Sequence, residues 1–187
     1  MAIKPKFSSP PRESELAPAP LSASRPELLV KGSDHEFREL VHDMLAFASS
    51  LQEVRNKLGQ AIGLSGTQYT ILMAIARLSQ TAPDLGINLL AENLHWSGAF
   101  VTIEVNKLVA AGLIEKRANP DDGRRVVLSI TPAARKKLTD LKPLQVPAND
   151  TLFGSLSSQD FKALRRIMAS LAASGENTLR LIRSLRE

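Results

Sequence analysis

The 187-residue chain contains no cysteine. That excludes disulfide staples and thiol-based redox sensing, and it fits a reducing compartment. Histidine is scarce: His35, His42 and His95 are the three present. His35 and His42 stand seven residues apart, not at the i, i+4 spacing that brings two imidazoles onto one metal. No further His and acidic cluster accompanies them, so neither a metal nor a cofactor is expected. Also missing are a phosphate-binding glycine loop and a nucleophile elbow. With no catalytic set in view, an enzyme is not expected. No apolar run approaches the ~18 residues of a membrane span, and the N-terminus lacks the apolar core of a signal peptide. A cytoplasmic protein without a membrane partner is the expectation.

What is present is a moderately basic chain with a formal charge of +5, a pI near 9.7 and 43% hydrophobic residues. The charge favours a polyanionic partner, and the apolar content can bury one substantial core with surface left over for an interface. Residues 1–31 hold six of the eleven prolines among Ser and Ala, a composition too poor in aromatic and β-branched residues to pack, and they read as a disordered tail. Ser33-Asp34-His35-Glu36 has the form of a capping box. Behind it Phe37, Leu40, Val41, Met44, Leu45, Leu51, Leu58 and Ile62 trace a long amphipathic helix closed by Gly63, which makes residues 32–63 one element. Ser65 and Gln68 make a second box, opening a helix through Tyr69, Leu72, Ile75 and Leu78.

The stretch from Gly86 to Thr131 carries the most information. Leu89, Leu90 and Leu94 give a short helix, and after the His95-Trp96 turn Ser97 is a good N-cap for a second. Val101, Val105, Leu108 and Val109 are its apolar stripe, and Gly112 supplies the left-handed residue that ends it. Two extended runs, Leu113–Arg117 and Arg125–Ile130, flank the turn-rich Asn119-Pro120-Asp121-Asp122-Gly123 and form a charged hairpin. Helix, turn, helix and β wing make a winged helix-turn-helix over residues 64–131, which points to duplex DNA. Thr131 then caps a further helix with Pro132 at its first position, bent or broken near Pro143 and Pro147. Ser157 caps a last long helix whose apolar side runs from Phe161 to Leu185. The fold class is mainly α, with a two-stranded wing between long terminal helices.

LAENL, the helix from Thr102 to Leu108, AAGLIEKR, the Asp122-Gly123-Arg124 wing and the Ile130-Thr131 exit together resemble the MarR family of bacterial transcriptional regulators. Two departures from the family's habit stand out: Gly98, Ala99 and Phe100 open the second helix where polar or basic residues are usual, and Ala134 replaces a frequent glycine. Flanking helices extend the resemblance from Ser33 to Leu185.

Terminal helices this long bury little within one subunit, so a homodimer through residues 32–63 and 132–187 is expected, as in the family. Two recognition helices about 34 Å apart would read a near-palindromic operator on double-stranded DNA. The candidate DNA-binding residues are Ser97, Gly98, Ala99, Phe100, Thr102, Asn106 and Lys107 on the helix and Arg124 and Arg125 on the wing. Asn suits a bidentate pair with adenine, and Lys suits guanine or phosphate. Ser97 can serve as a cap alone, and Phe100 can pack under the first helix or meet a thymine methyl. The resemblance favours Arg124 as the groove reader, with Asp122 orienting it. It also implies a repressor released by a small aromatic or phenolic acid, with Arg38, His42 and Tyr69 as candidate ligand contacts. A burial role for His42 and Tyr69 stands beside that reading. The apolar Gly98-Ala99-Phe100 surface keeps a second function open, a winged-helix protein-interaction module without specific DNA binding.

Overall fold

The computed structural model describes residues 20–119 and 125–186, which form two compact units that divide between Ser49 and Ser50, inside the first helix. That helix, α1, spans His35–Ala61. Its entry is built differently from the expected capping box. Ser33 Oγ accepts from the His35 N–H at 3.2 Å. The Asp34 carboxylate accepts from the Ser22 N–H and the Ser22 hydroxyl, both at 2.6 Å, and from Arg38 Nε at 3.0 Å.

Residues 20–31, which fall in the segment read as a disordered tail, are therefore tied to the start of α1. They contain a 3-10 turn at Pro26–Leu28, and Val30 and Ser33 exchange backbone hydrogen bonds. Residues 1–19 lie outside the described part of the chain. The apolar stripe of α1 within this unit stays at the surface, with Leu40 55% and Leu45 67% exposed.

The second unit begins with the last turns of α1, where Leu58 is buried. Gly63, at φ +76, ends that helix in the left-handed region where glycine carries no Cβ penalty. Next come α2 (Gly66–Leu78), α3 (Ile87–Leu94) and α4 (Gly98–Ala110). The expected Ser65–Gln68 capping box opens α2. Two antiparallel strands follow, β1 (Ile114–Ala118) and β2 (Val126–Ile130), in a register that sets Ile114 opposite Ile130 and Ala118 opposite Val126. The core lies where α2 meets α3, α4 and the sheet: Ile71, Leu72, Ile75, Leu85, Leu90, Val101, Val105 and Leu108 are all fully buried. Leu128 donates its N–H to the Leu85 carbonyl at 2.8 Å, which fastens the wing to the loop ahead of α3.

Thr131 caps the next helix as expected and does a second task. Its oxygen accepts from the Ala134 N–H at 3.1 Å and its hydroxyl donates to the Gly112 carbonyl at 2.8 Å, so the exit of the wing is tied to the end of α4. Behind it stand α5 (Pro132–Asp140) and α6 (Lys142–Leu152). The break between them falls at Leu141, two residues ahead of Pro143 as expected, and none falls at Pro147. Leu141 is buried against Leu58 and Tyr69, Pro143 occupies the first turn of α6 where its missing N–H is harmless, and the helix runs on through Pro147. The last helix, α7 (Ser158–Ser184), opens with a Ser157–Asp160 capping box and has no buried residue. Among the described residues no helix is long and apolar enough to cross a membrane.

Three donors hold the Asp34 carboxyl well below its ordinary range, the Ser22 hydroxyl and N–H before Arg38. A carboxylate depressed in the folded state stabilises it at neutral pH, and that contribution fades as pH falls below about 4 toward the lower folded value. Asp34→Asn should therefore destabilise the N-terminal segment at pH 7, and the difference from wild type should narrow under acid. Amide hydrogen exchange of residues 20–35 across pH 3 to 7 checks this; a difference that stays constant with pH would contradict it.

Candidate nucleic-acid interface

Ser97 starts α4, accepting from the Phe100 N–H at 3.3 Å. Ahead of it His95 adopts φ +54, a left-handed residue that turns the chain sharply from α3 into α4. His95 Nδ1 lies 2.7 Å from Glu176 Oε1 on α7, and Arg180 lies 3.6 Å from the same carboxylate. The helix then divides cleanly into two sides. Val101, Glu104, Val105 and Leu108 face inward, and the opposite line of Ala99, Ile103, Asn106 and Ala110, at i, i+4, i+7 and i+11, is exposed.

Ile103 is 55% exposed at the centre of that outward line and was not among the expected site residues. A helical wheel drawn from Val101, Val105 and Leu108 would have found it, because position 103 stands opposite all three. Phe100 neither packs under α3 nor stands free. Its ring meets Trp96 edge-on at 5.5 Å between centroids and 76° between planes, and 42% of the residue remains exposed. At Gly98 a Cβ would meet open space.

The polar candidates are less free than their positions suggested. Thr102 donates its hydroxyl to the Gly98 carbonyl at 2.7 Å. Lys107 pairs at 2.6 Å with Glu104, which is only 8% exposed and would otherwise be a lone buried charge. Asn106 Oδ1 accepts from Lys116 Nζ on β1, so its amide nitrogen is left as the outward group. On the same strand Arg117 directs two nitrogens at one Glu115 oxygen. Arg125 is exposed at the start of the second strand, and with Asp84, Gly86, Asn88 and Glu92 it lines a concavity beside the start of α3. Arg124, Asp121 and Asp122 lie outside the described residues.

The three candidate ligand contacts are placed as follows. Arg38 is held by Asp34 and donates to the Pro20 carbonyl at 2.7 Å. His42 is exposed in a shallow concavity with His35, Arg38, Glu39 and Asp43. Tyr69 is 1% exposed. Its hydroxyl accepts from Gln145 Nε2 at 2.9 Å and the Arg55 guanidinium sits 5.1 Å over its ring. Burial raises its phenol above the ordinary value against the pull of Arg55. Tyr69 thus serves the packing of α2 on α6. Among the described residues no cluster of His and acidic side chains is arranged to hold a metal.

The family model described as MarR family matches residues 62–125, the span from the end of α1 to the start of the second strand. A solved structure described as a probable transcriptional regulator from Pseudomonas aeruginosa is 30% identical, with 70% of this chain and 96% of that one covered and a TM-score of 0.53. The chain belongs to the MarR family of transcriptional regulators. The same architecture recurs at lower identity. A mutant MarR from E. coli complexed with operator DNA is 17% identical over 73% of this chain and 95% of its own, with a TM-score of 0.60. MepR from S. aureus, also in a DNA complex, is 17% identical over 80% and 99%, with a TM-score of 0.56. A comparison with curated protein sequences finds no significant match. Membership assigns this MarR-family chain to transcriptional regulation and not to catalysis.

The two caps that frame the interface differ in burial, and their removal should differ accordingly. Thr131→Ala loses a buried cap and the tie to Gly112 and should cost about 1–2 kcal/mol, whereas Ser97→Ala, at an exposed and longer bond, should cost under about 1 kcal/mol. Urea unfolding of both variants reads the order; equal costs would mean that the Thr131 tie contributes nothing.

Proposed function

We propose that this MarR-family regulator works as a homodimer that binds double-stranded DNA sequence-specifically and represses transcription until a small aromatic or phenolic acid releases it. The observation that carries the DNA reading is the outward line of α4, exposed along its length and joined at Asn106 by the Lys116 ammonium of the wing. Ser97, Gly98, Ala99, Phe100, Thr102, Asn106 and Lys107 are the proposed contacts on α4. Arg125, with Arg124 by resemblance, is the proposed contact from the wing. Lys107 can reach a phosphate only by sharing its charge with Glu104.

The dimer reading rests on the apolar residues that α1 and α7 leave at the surface, such as Leu40 and Leu45 on one and Phe161, Leu171 and Leu179 on the other. Apolar faces of this length are the kind that a second copy covers around a two-fold axis. Two copies would set two α4 helices about one turn of duplex apart, so the operator should be a near-palindrome. The effector reading is carried by the family, with His42 and Arg38 as the contacts that remain near solvent. A cytoplasmic location goes with a regulator of transcription. The apolar start of α4 supports a second reading, in which the winged helix binds a protein instead of DNA.

A gel-shift against DNA from the protein's own upstream intergenic region separates these, run across salt concentrations and with a panel of aromatic carboxylates. DNA binding should weaken linearly in log-log form, with a slope of about −0.9 per phosphate neutralised. Arg125→Ala should flatten that slope by about one and weaken operator and random duplex alike. An unchanged slope would remove Arg125 from the interface. Retention at every salt with no effect of any aromatic acid would argue against the effector class, and no shift at low salt would favour the protein-binding module.

A further inference from the structure

We infer that Ala99, Phe100 and Ile103 form a methyl-reading surface that selects thymines in the major groove, with Ile103 as the specificity-determining residue; this rests on the DNA reading above. The N-terminal half of a recognition helix is the part that meets base edges. Here that half presents Ala99, Phe100 and Ile103 side by side, at i, i+1 and i+4, with Ile103 55% and Phe100 42% exposed. The Phe100 ring rests against Trp96 in a T-shaped contact at the entry to α4. The apolar patch is therefore built into the outward face and is not a loose core residue.

An aliphatic side chain pressed on a guanine or cytosine edge leaves acceptors or an amino group without the water they had, which is unfavourable. The one apolar group on the major-groove edges is the C5-methyl of thymine. The surroundings fit a polyanion better than an apolar protein groove. Lys116 brings its ammonium to the end of the same line and pairs there with a neutral partner, Asn106, in a chain of formal charge +5. That bond also decides what Asn106 offers. With its oxygen held by Lys116, the amide nitrogen is the group left to donate, suited to adenine N7 or thymine O4 beside the recognised methyl.

The test uses one duplex, the upstream intergenic DNA, made twice, with thymine or with deoxyuridine throughout. Uracil pairs as thymine does and lacks only the methyl. Wild-type protein should bind the thymine duplex at least tenfold more tightly, given roughly fourfold for each methyl buried. Ile103→Ala removes an exposed side chain and should keep the fold by circular dichroism. It should bind the thymine duplex more weakly and shrink the thymine-to-uracil ratio at least threefold. Equal affinity of wild type for both duplexes, or a ratio unchanged in Ile103→Ala, would overturn the methyl-reading role while leaving DNA binding intact. Binding to neither duplex would overturn the DNA reading itself and this inference with it.

Discussion

The burial of one side of α4 against α2 is the constraint on which the rest of the site depends. Val101, Val105 and Leu108 have no exposure, and neither do Ile71, Leu72 and Ile75 across from them. Close-packed side chains of this kind leave no freedom to rotate the helix about its axis. Since successive residues step by about 100° around a helix, fixing those three inward fixes Ala99, Ile103 and Asn106 outward. What α4 presents to solvent is thus decided by the residues it buries.

The polar contacts around α4 act on its ends and flanks. His95 turns the chain into it, Ser97 caps it, and Thr131 fastens the end of the helix to the exit of the wing. Leu128 binds the wing to the loop ahead of α3 through the backbone. Lys116 reaches from the first strand to Asn106, so the wing also sets the orientation of a side chain on the helix. Helix and wing are coupled by short hydrogen bonds, not merely adjacent. A rigid pairing of this type presents a preformed surface and loses little conformational freedom when it binds.

The terminal elements follow a different logic. Nothing in α7 is buried and much of the apolar stripe of α1 is at the surface, although both helices are long and well capped or anchored at their starts. Helices of this length are stable only when an amphipathic face is covered, because propensity alone contributes little. In the proposed dimer the second copy supplies that cover. His95 and Glu176 then stand out as a polar contact between α7 and the turn from α3 to α4 within one chain.

Periodicity and caps in the chain itself located α1 to α5, α7 and both strands of the wing, with α6 legible only as a bend or break near the prolines, and the residues Ser65, Ser97, Thr131 and Ser157 start their helices as their chemistry requires. Those signals act within three or four residues, so they are legible without a fold. What lay beyond them required tertiary structure. Asp34 binds Ser22, twelve residues away, and organises part of a segment whose composition reads as a tail. Gln145 occupies the Tyr69 hydroxyl from across the second unit, and Leu141 is buried against Leu58, more than eighty residues back, and Tyr69. Lys116 reaches Asn106 across ten residues of chain and takes its side-chain oxygen. Which side chains are free to act is a matter of partners distant in sequence, and only the packed chain brings those partners together.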